Sequence, residues 1–164
     1  MNNLRRTAFH EAGHVVMMLA QNVRFHHVTI EPGEDYLGVV VHRLSKRLSG
    51  VIETRDLLKA TRAVEPLIRI DYAGGVAMGI HCGRRGRWRG AEGDFHNAGA
   101  WLLQIYGEDG PELQAHQRHL LLQTEAVLDS PGCRWQTETI AAALLERRTL
   151  TRDEVTAVLR DAAQ

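Results

Sequence analysis

Residues 7–20 read TAFHEAGHVVMMLA, and they decide how the rest of the chain is understood. Leu4, Ala8, Val15, Met18 and Leu19 recur at a helical period of about 3.6, while Phe9, Val16 and Ala20 occupy another side. Such a helix is apolar nearly all round and belongs in a core. Yet it carries His10, Glu11 and His14. Four residues of helix turn about 400°, so the two imidazoles project within about 40° of each other, one turn apart, and both can ligate one ion. Glu11 lies on the flank of the pair, where it can reach a water at an open coordination position without being a ligand itself. Imidazole nitrogen with an open fourth site suits Zn²⁺. The competing reading, two histidines satisfied in a core, gains little: uncompensated polar groups cost about 1–3 kcal/mol each on burial.

Working outward, FHHVTIEPG (25–33) and YLGVVVHRL (36–44) are β-branched runs that predict a small antiparallel pair. The stretch 49–80 has helical spacing, with Pro66 as a point of kinking or division. HCGRRGRWRGAEG (81–93) carries four glycines and predicts irregular chain. Residues 94–107, 111–128 and 133–148 are helical, and TLTRDEVTAVLRDAA (149–163) is a last helix with Thr151 as N-cap and Glu154 completing a capping box. The fold class is mainly α (α+β), one domain over residues 1–164, with 1–109 as a metal-binding part and 110–164 as a C-terminal helical part.

Composition narrows function further. The 164 residues are 44% hydrophobic and 24% charged, as in a soluble globular protein, and Lys+Arg 20 against Asp+Glu 20 leaves no net field to attract DNA or anionic lipid. Arg84, Arg85, Arg87 and Arg89 around Trp88 can meet phosphate and stack on a base, but at zero net charge a solvated loop is the expectation and nucleic acid is not. No apolar stretch approaches the roughly 18 residues of a membrane span. The amino terminus runs into the motif without the succession of a secretory leader, and Cys82 and Cys133 suit a reducing compartment, so the expected location is cytoplasmic. A catalytic zinc site wants three protein ligands. The residues after His14, VVMMLAQNVR, exclude a continuous HExxHxxGxxH set, leaving Asp94, Glu92, His96, His81 and Glu65 as candidates for the third.

TAFHEAGHVVMMLA, HHVTIEPG, YLGVVV, DYAGGVAMG, GAEGDFHNA and LLERRTLTRDEV resemble, in this order, the peptidase domain of the FtsH family of ATP-dependent zinc metalloproteases, over almost the whole chain. The resemblance implies a helical, zincin-like peptidase fold. It implies that the third ligand is an Asp at a helix start about 80 residues beyond the second His, which is Asp94, preceded here by Gly93 where the family has Asn. It implies that Gly74 and Gly75, with Gly13, bring two helices together beside the metal. It further implies that Gly38, Val39, Val40 and Val41 pair with an extended peptide substrate.

Members of that family carry membrane segments and an ATPase and form rings. This chain has only Lys46 and Lys59, neither preceded by Gly, and so no phosphate-binding loop sequence. The expectation is a zinc metalloendopeptidase that either stands alone and cuts flexible or unfolded protein or borrows an ATPase in trans, with a homo-oligomer as a further candidate partner. The alternative is a catalytically silent metal-binding domain, descended from such a peptidase, that binds peptides or proteins; an intact Glu11 argues against it.

Overall fold

A computed structural model describes residues 3–33, 37–42, 57–82 and 91–164. The elements are α1 (Asn3–Ala20), β1 (Phe25–Thr29), β2 (Val39–His42), α2 (Leu57–Cys82), α3 (Glu92–Tyr106), α4 (Pro111–Leu128), α5 (Pro131–Arg147), β3 (Thr149–Thr151) and α6 (Arg152–Asp161). The architecture is mainly helical with one small antiparallel sheet, as the periodicities predict.

Helix α1 runs through the middle. Ala8, Ala12, Val15, Val16 and Met17 are fully buried, and they pack with Ile68, Tyr72 and Ala73 of α2 and Ile140 and Leu144 of α5 in one core that reaches Val155 of α6. Each large apolar side chain so buried contributes roughly 1.5–3 kcal/mol. Helices α1 and α2 meet backbone to backbone. A Cβ on Gly13 would stand 2.5 Å from both the Ala73 carbonyl oxygen and Ala77 Cβ, so only glycine fits at this crossing. Helix α2 passes through Pro66 without division and continues over His81 and Cys82, two residues into the stretch expected to be irregular. The beginning of that helical prediction, 49–56, and the arginine-rich segment 83–90 lie outside the described residues.

The expected β pair is a three-stranded sheet in the order β2-β1-β3. β1 pairs with β2 in the register Val28↔Val40 and Thr29↔Val39, and with β3 as Val28↔Leu150 and Thr29↔Thr149. The third strand follows where α5 ends on Arg148 at a positive φ of 68°, and the chain turns back along β1. Ile30 N–H then donates to the Arg148 carbonyl at 2.9 Å, and the Thr29 and Thr149 hydroxyls bond at 2.7 Å. Thr151 both ends β3 and caps α6, with the capping box to Glu154 formed as predicted. Among the described residues no helix is long and apolar enough to cross a membrane.

Candidate metal centre

Helix α1 presents His10 and His14 on one face, with their Nε2 atoms 3.1 Å apart. The orientation of His14 is fixed from behind. Its Nδ1 lies 2.7 Å from the Ile70 carbonyl of α2, and a carbonyl only accepts, so Nδ1 carries the hydrogen; when the ring is neutral, its lone pair is then on Nε2, which faces His10. A side chain on α2 would fill the space between these rings. Gly74 leaves it free: a Cβ there would collide with His14 Nε2 and stand 2.7 Å from His10 Nε2 and Cε1. The close approach expected of the Gly-Gly pair is therefore made at Gly74, against the imidazoles themselves.

Helix α3 brings Asp94. The helix begins at Glu92, two residues earlier than the sequence pattern suggests, and its N-cap is Ala91, which makes no side-chain cap. Asp94 thus sits inside the first turn, where a carboxylate is favoured by the helix N-terminus, and its side chain is turned to α1 rather than spent on capping. Its Oδ2 is 2.9 Å from His10 Nε2 and 3.5 Å from His14 Nε2. His10, His14 and Asp94 make up the group able to hold a metal among the described residues.

The other four candidates for a third ligand are elsewhere. Glu92 and His96 are exposed on α3. His81 stacks on Phe9 at 4.5 Å with Nδ1 3.5 Å from Glu138, and Glu65 is engaged by Arg69 and His116.

The three donors fit a tetrahedral ion. Ligand bonds of about 2.0–2.1 Å place donors about 3.3 Å apart on each face of the tetrahedron, and the three separations of 2.9, 3.1 and 3.5 Å bracket that edge. Two imidazoles and one carboxylate are a zinc-type donor set with one position to spare. The Asp94 side chain keeps 27% of its surface exposed, so the cluster opens to solvent on the α3 side.

Glu11 is buried, 5% exposed, on the flank of the pair. The chain before β2 passes directly over it: a Cβ on Gly38 would come within 2.8 Å of Glu11 Oε1 and 2.7 Å of Thr7 Cγ2. Among the described residues β2 lies at an edge of the sheet, paired with β1 on one side. Gly38 therefore lies against Glu11, and Val39, Val40 and Val41 continue from it along β2.

Electrostatics bind the cluster together. Burial pushes the Glu11 carboxyl above its ordinary range, against the opposing charges of His14 and His10. Burial would raise Asp94 as well, but hydrogen bonds and charge from His10 and His14 outweigh it and hold the carboxyl well below the usual carboxylate range. Burial alone would favour neutral His14, yet the hydrogen bond and charge of Asp94, with the charge of Glu11, lift it to about 9. The site is arranged to keep positive charge between imidazoles and carboxylates, whether as a proton on His14 or as a cation shared by three donors.

One neighbour escaped the sequence reading. Asp71, next to Ile70 on α2, is largely buried, and burial pushes its carboxyl up to about 7. The available sign was a lone acid within the apolar run LIRIDYAGG, three residues before Gly74. No family model matches this chain, and no curated protein matches it.

Proposed function

We propose that the protein is a zinc-dependent endopeptidase that hydrolyses peptide bonds in flexible or unfolded protein. The observation that carries this reading is the convergence of His10 and His14 from α1 with Asp94 from α3, beside a buried Glu11 that is not one of the three. A purely structural metal site has no use for such a base. Zn²⁺, when held by these three residues, supplies a Lewis acid that acidifies water and polarises a carbonyl.

The residues of the chain do the rest. Glu11, with its proton affinity raised by burial, accepts a proton from the attacking water as the water oxygen bonds to the carbonyl carbon. As the carbon–nitrogen bond breaks, Glu11 returns that proton to the leaving amine. The Ile70 carbonyl keeps His14 in the ligating tautomer throughout. The edge of β2 supplies backbone groups that pair with an extended substrate and carry it across Glu11. These residues hold no phosphate-loop sequence, so they unfold nothing themselves and act on segments that are already unfolded or are delivered unfolded by an ATPase. The reading includes a cytosolic location, which Cys82 and Cys133 suit, and a homo-oligomer, which the ring-forming FtsH-type proteases suggest.

One purification tests the proposal. Elemental analysis reports metal, and an unfolded protein substrate is digested by the wild type and by Glu11→Gln side by side. The expected result is about one zinc per chain in both, cleavage by the wild type, and a rate at least about 10²-fold lower in the variant, the usual contribution of a general base. Undiminished cleavage by Glu11→Gln would remove the residue from this role. Zinc in both proteins with cleavage by neither would point to a metal-stabilised peptide-binding domain.

A further inference from the structure

Helix α2 has a second face. Val76 lies about 200° round the helix from Gly74, on the side turned away from the imidazoles. There Val76, Gly79 and Ile80 of α2, with Leu122, Glu125 and Ala126 of α4, line a groove of about 250 Å³. That is below the roughly 300–1,000 Å³ usual for small-molecule sites, and it suits an inserted aliphatic side chain better than a free ligand. Leu122, on the rim, is 63% exposed. A lone exposed leucine needs no explanation, but a leucine beside an open apolar groove offers both halves of one contact on a single surface.

The charges beside the groove match in the same self-complementary way. Counted round α4 at about 100° per residue, Arg118 and Glu125 lie about 40° and 60° to one side of Leu122, one before it and one after. Among the described residues neither makes an ion pair. Ala115 and Ala126 are exposed on the same face and small enough for a second helix to lie close. A two-fold axis at Leu122 sets α4 antiparallel to its copy. Arg118 of each chain then stands beside Glu125 of the other, so two opposite-charge pairs flank a central pair of leucines. A parallel copy would instead set Arg118 against Arg118 and Glu125 against Glu125.

We propose that the groove between α2 and α4 is a two-fold interface between copies of this chain, with Leu122 of each copy seated in the groove of the other. The contact does not depend on the metal reading, since this face of α2 is turned away from His10 and His14. It is isologous, unlike the head-to-tail contacts that close a ring. Helix α4 is about 27 Å long, and one helix with one groove falls short of the about 1,600 Å² of a standard interface. The dimer therefore belongs to the weak class, with dissociation in roughly the micromolar range.

The test is sedimentation velocity on the full chain over about 1–200 μM, with the melting temperature of each variant as a check on folding. The wild type is expected to pass from monomer to dimer over that range. Leu122→Asp changes an exposed position and is expected to stay monomeric throughout. Arg118→Glu and Glu125→Arg each set like charges face to face, and each is expected to weaken dimerisation at least about 10-fold. Both substitutions in one chain restore the two pairs, and dimerisation should return to within about threefold of the wild type. Mixed together, the two single variants should pair with each other. A wild type that is monomeric at the highest concentration overturns the proposal, as does assembly that Leu122→Asp leaves unchanged. A double variant that dimerises no better than the single ones, with melting temperatures unaltered, overturns it as well.

Discussion

Replacing Gly74 with alanine adds a single methyl group, and the structure assigns it a large effect on metal and a small one on the fold. The new Cβ would overlap His14 Nε2 and stand 2.7 Å from His10 Nε2 and Cε1, where ordinary contact begins at 3.4 Å. The rings must then retreat by at least about 0.7 Å. His14 cannot do so freely, because its Nδ1 is held 2.7 Å from the Ile70 carbonyl, and α2 cannot back away while Gly13 lies against Ala73 and Ala77. Metal–ligand bonds tolerate about 0.2 Å, so the shift exceeds the tolerance several-fold and two of three ligands lose their geometry. Zinc affinity should fall at least about 100-fold, or about 2.8 kcal/mol. The intrinsic preference of a helix for alanine over glycine, up to about 1 kcal/mol, offsets part of the steric cost to folding. The assay is chelator competition for zinc on Gly74→Ala and the wild type, with thermal melts in the presence and absence of zinc. Zinc binding by Gly74→Ala within threefold of the wild type would refute the geometry of the centre.

Gly13→Ala should act on the fold itself. Its Cβ would meet Ala73 O and Ala77 Cβ at 2.5 Å, forcing α1 and α2 apart at a cost of about 1–3 kcal/mol and lowering the melting temperature by about 2–12 °C; an unchanged melting temperature would contradict the close crossing. Without zinc, stability should fall as pH rises. His14, raised from 6.5 to about 9, contributes stability that is complete below pH 6.5 and lost by pH 9, while Asp71, raised from 3.8 to about 7, withdraws stability between those values in the same direction. Asp94 acts oppositely: held below 3.8, it contributes above that pH and loses its contribution in stronger acid. Thermal melts of zinc-free protein from pH 4 to 9 should therefore show decline above pH 6.5, and saturating zinc, displacing the His14 proton, should stabilise more at pH 8.5 than at pH 6.5. A zinc-free melting temperature that is flat or rising over that interval would contradict these shifts.

Local rules carried the sequence reading where one element encodes its own outcome. The burial of α1, the β character of 25–29 and 39–42, and the capping box of Thr151 and Glu154 all follow from spacing within a few residues. They failed where a distant partner decides. Thr149–Thr151 becomes a strand because Arg148 adopts a positive φ that would ordinarily be announced by glycine or asparagine, and because β1 offers an edge. Pro66 and the residues His81 and Cys82 remain helical since α2 is held along its length by α1, α3 and α4, which outweighs local breakers. The candidate site shows the same division. His10, Glu11 and His14 are legible from a single helix, but spacing left five candidates for their partner, and it took the resemblance to single out Asp94. Asp71 was passed over, because nothing in LIRIDYAGG says which helix faces that turn.

The motif helix is therefore only half of the centre, and the other half is residues 70–77 of α2. That stretch contributes a carbonyl at Ile70, an acid at Asp71, a vacancy at Gly74 and small neighbours at Ala73 and Ala77. The carbonyl, the vacancy and the small neighbours all act on α1. An HExxH helix packed on an ordinary partner with leucine at position 74 would bury its two imidazoles against a side chain, and the cost of hiding polar nitrogens would select against them. The histidines can remain in the core because α2 is built around them. The small residues of DYAGGVAMG thus belong to the same chemical unit as HEAGH, although 56 residues separate His14 from the Ile70 carbonyl that aims it.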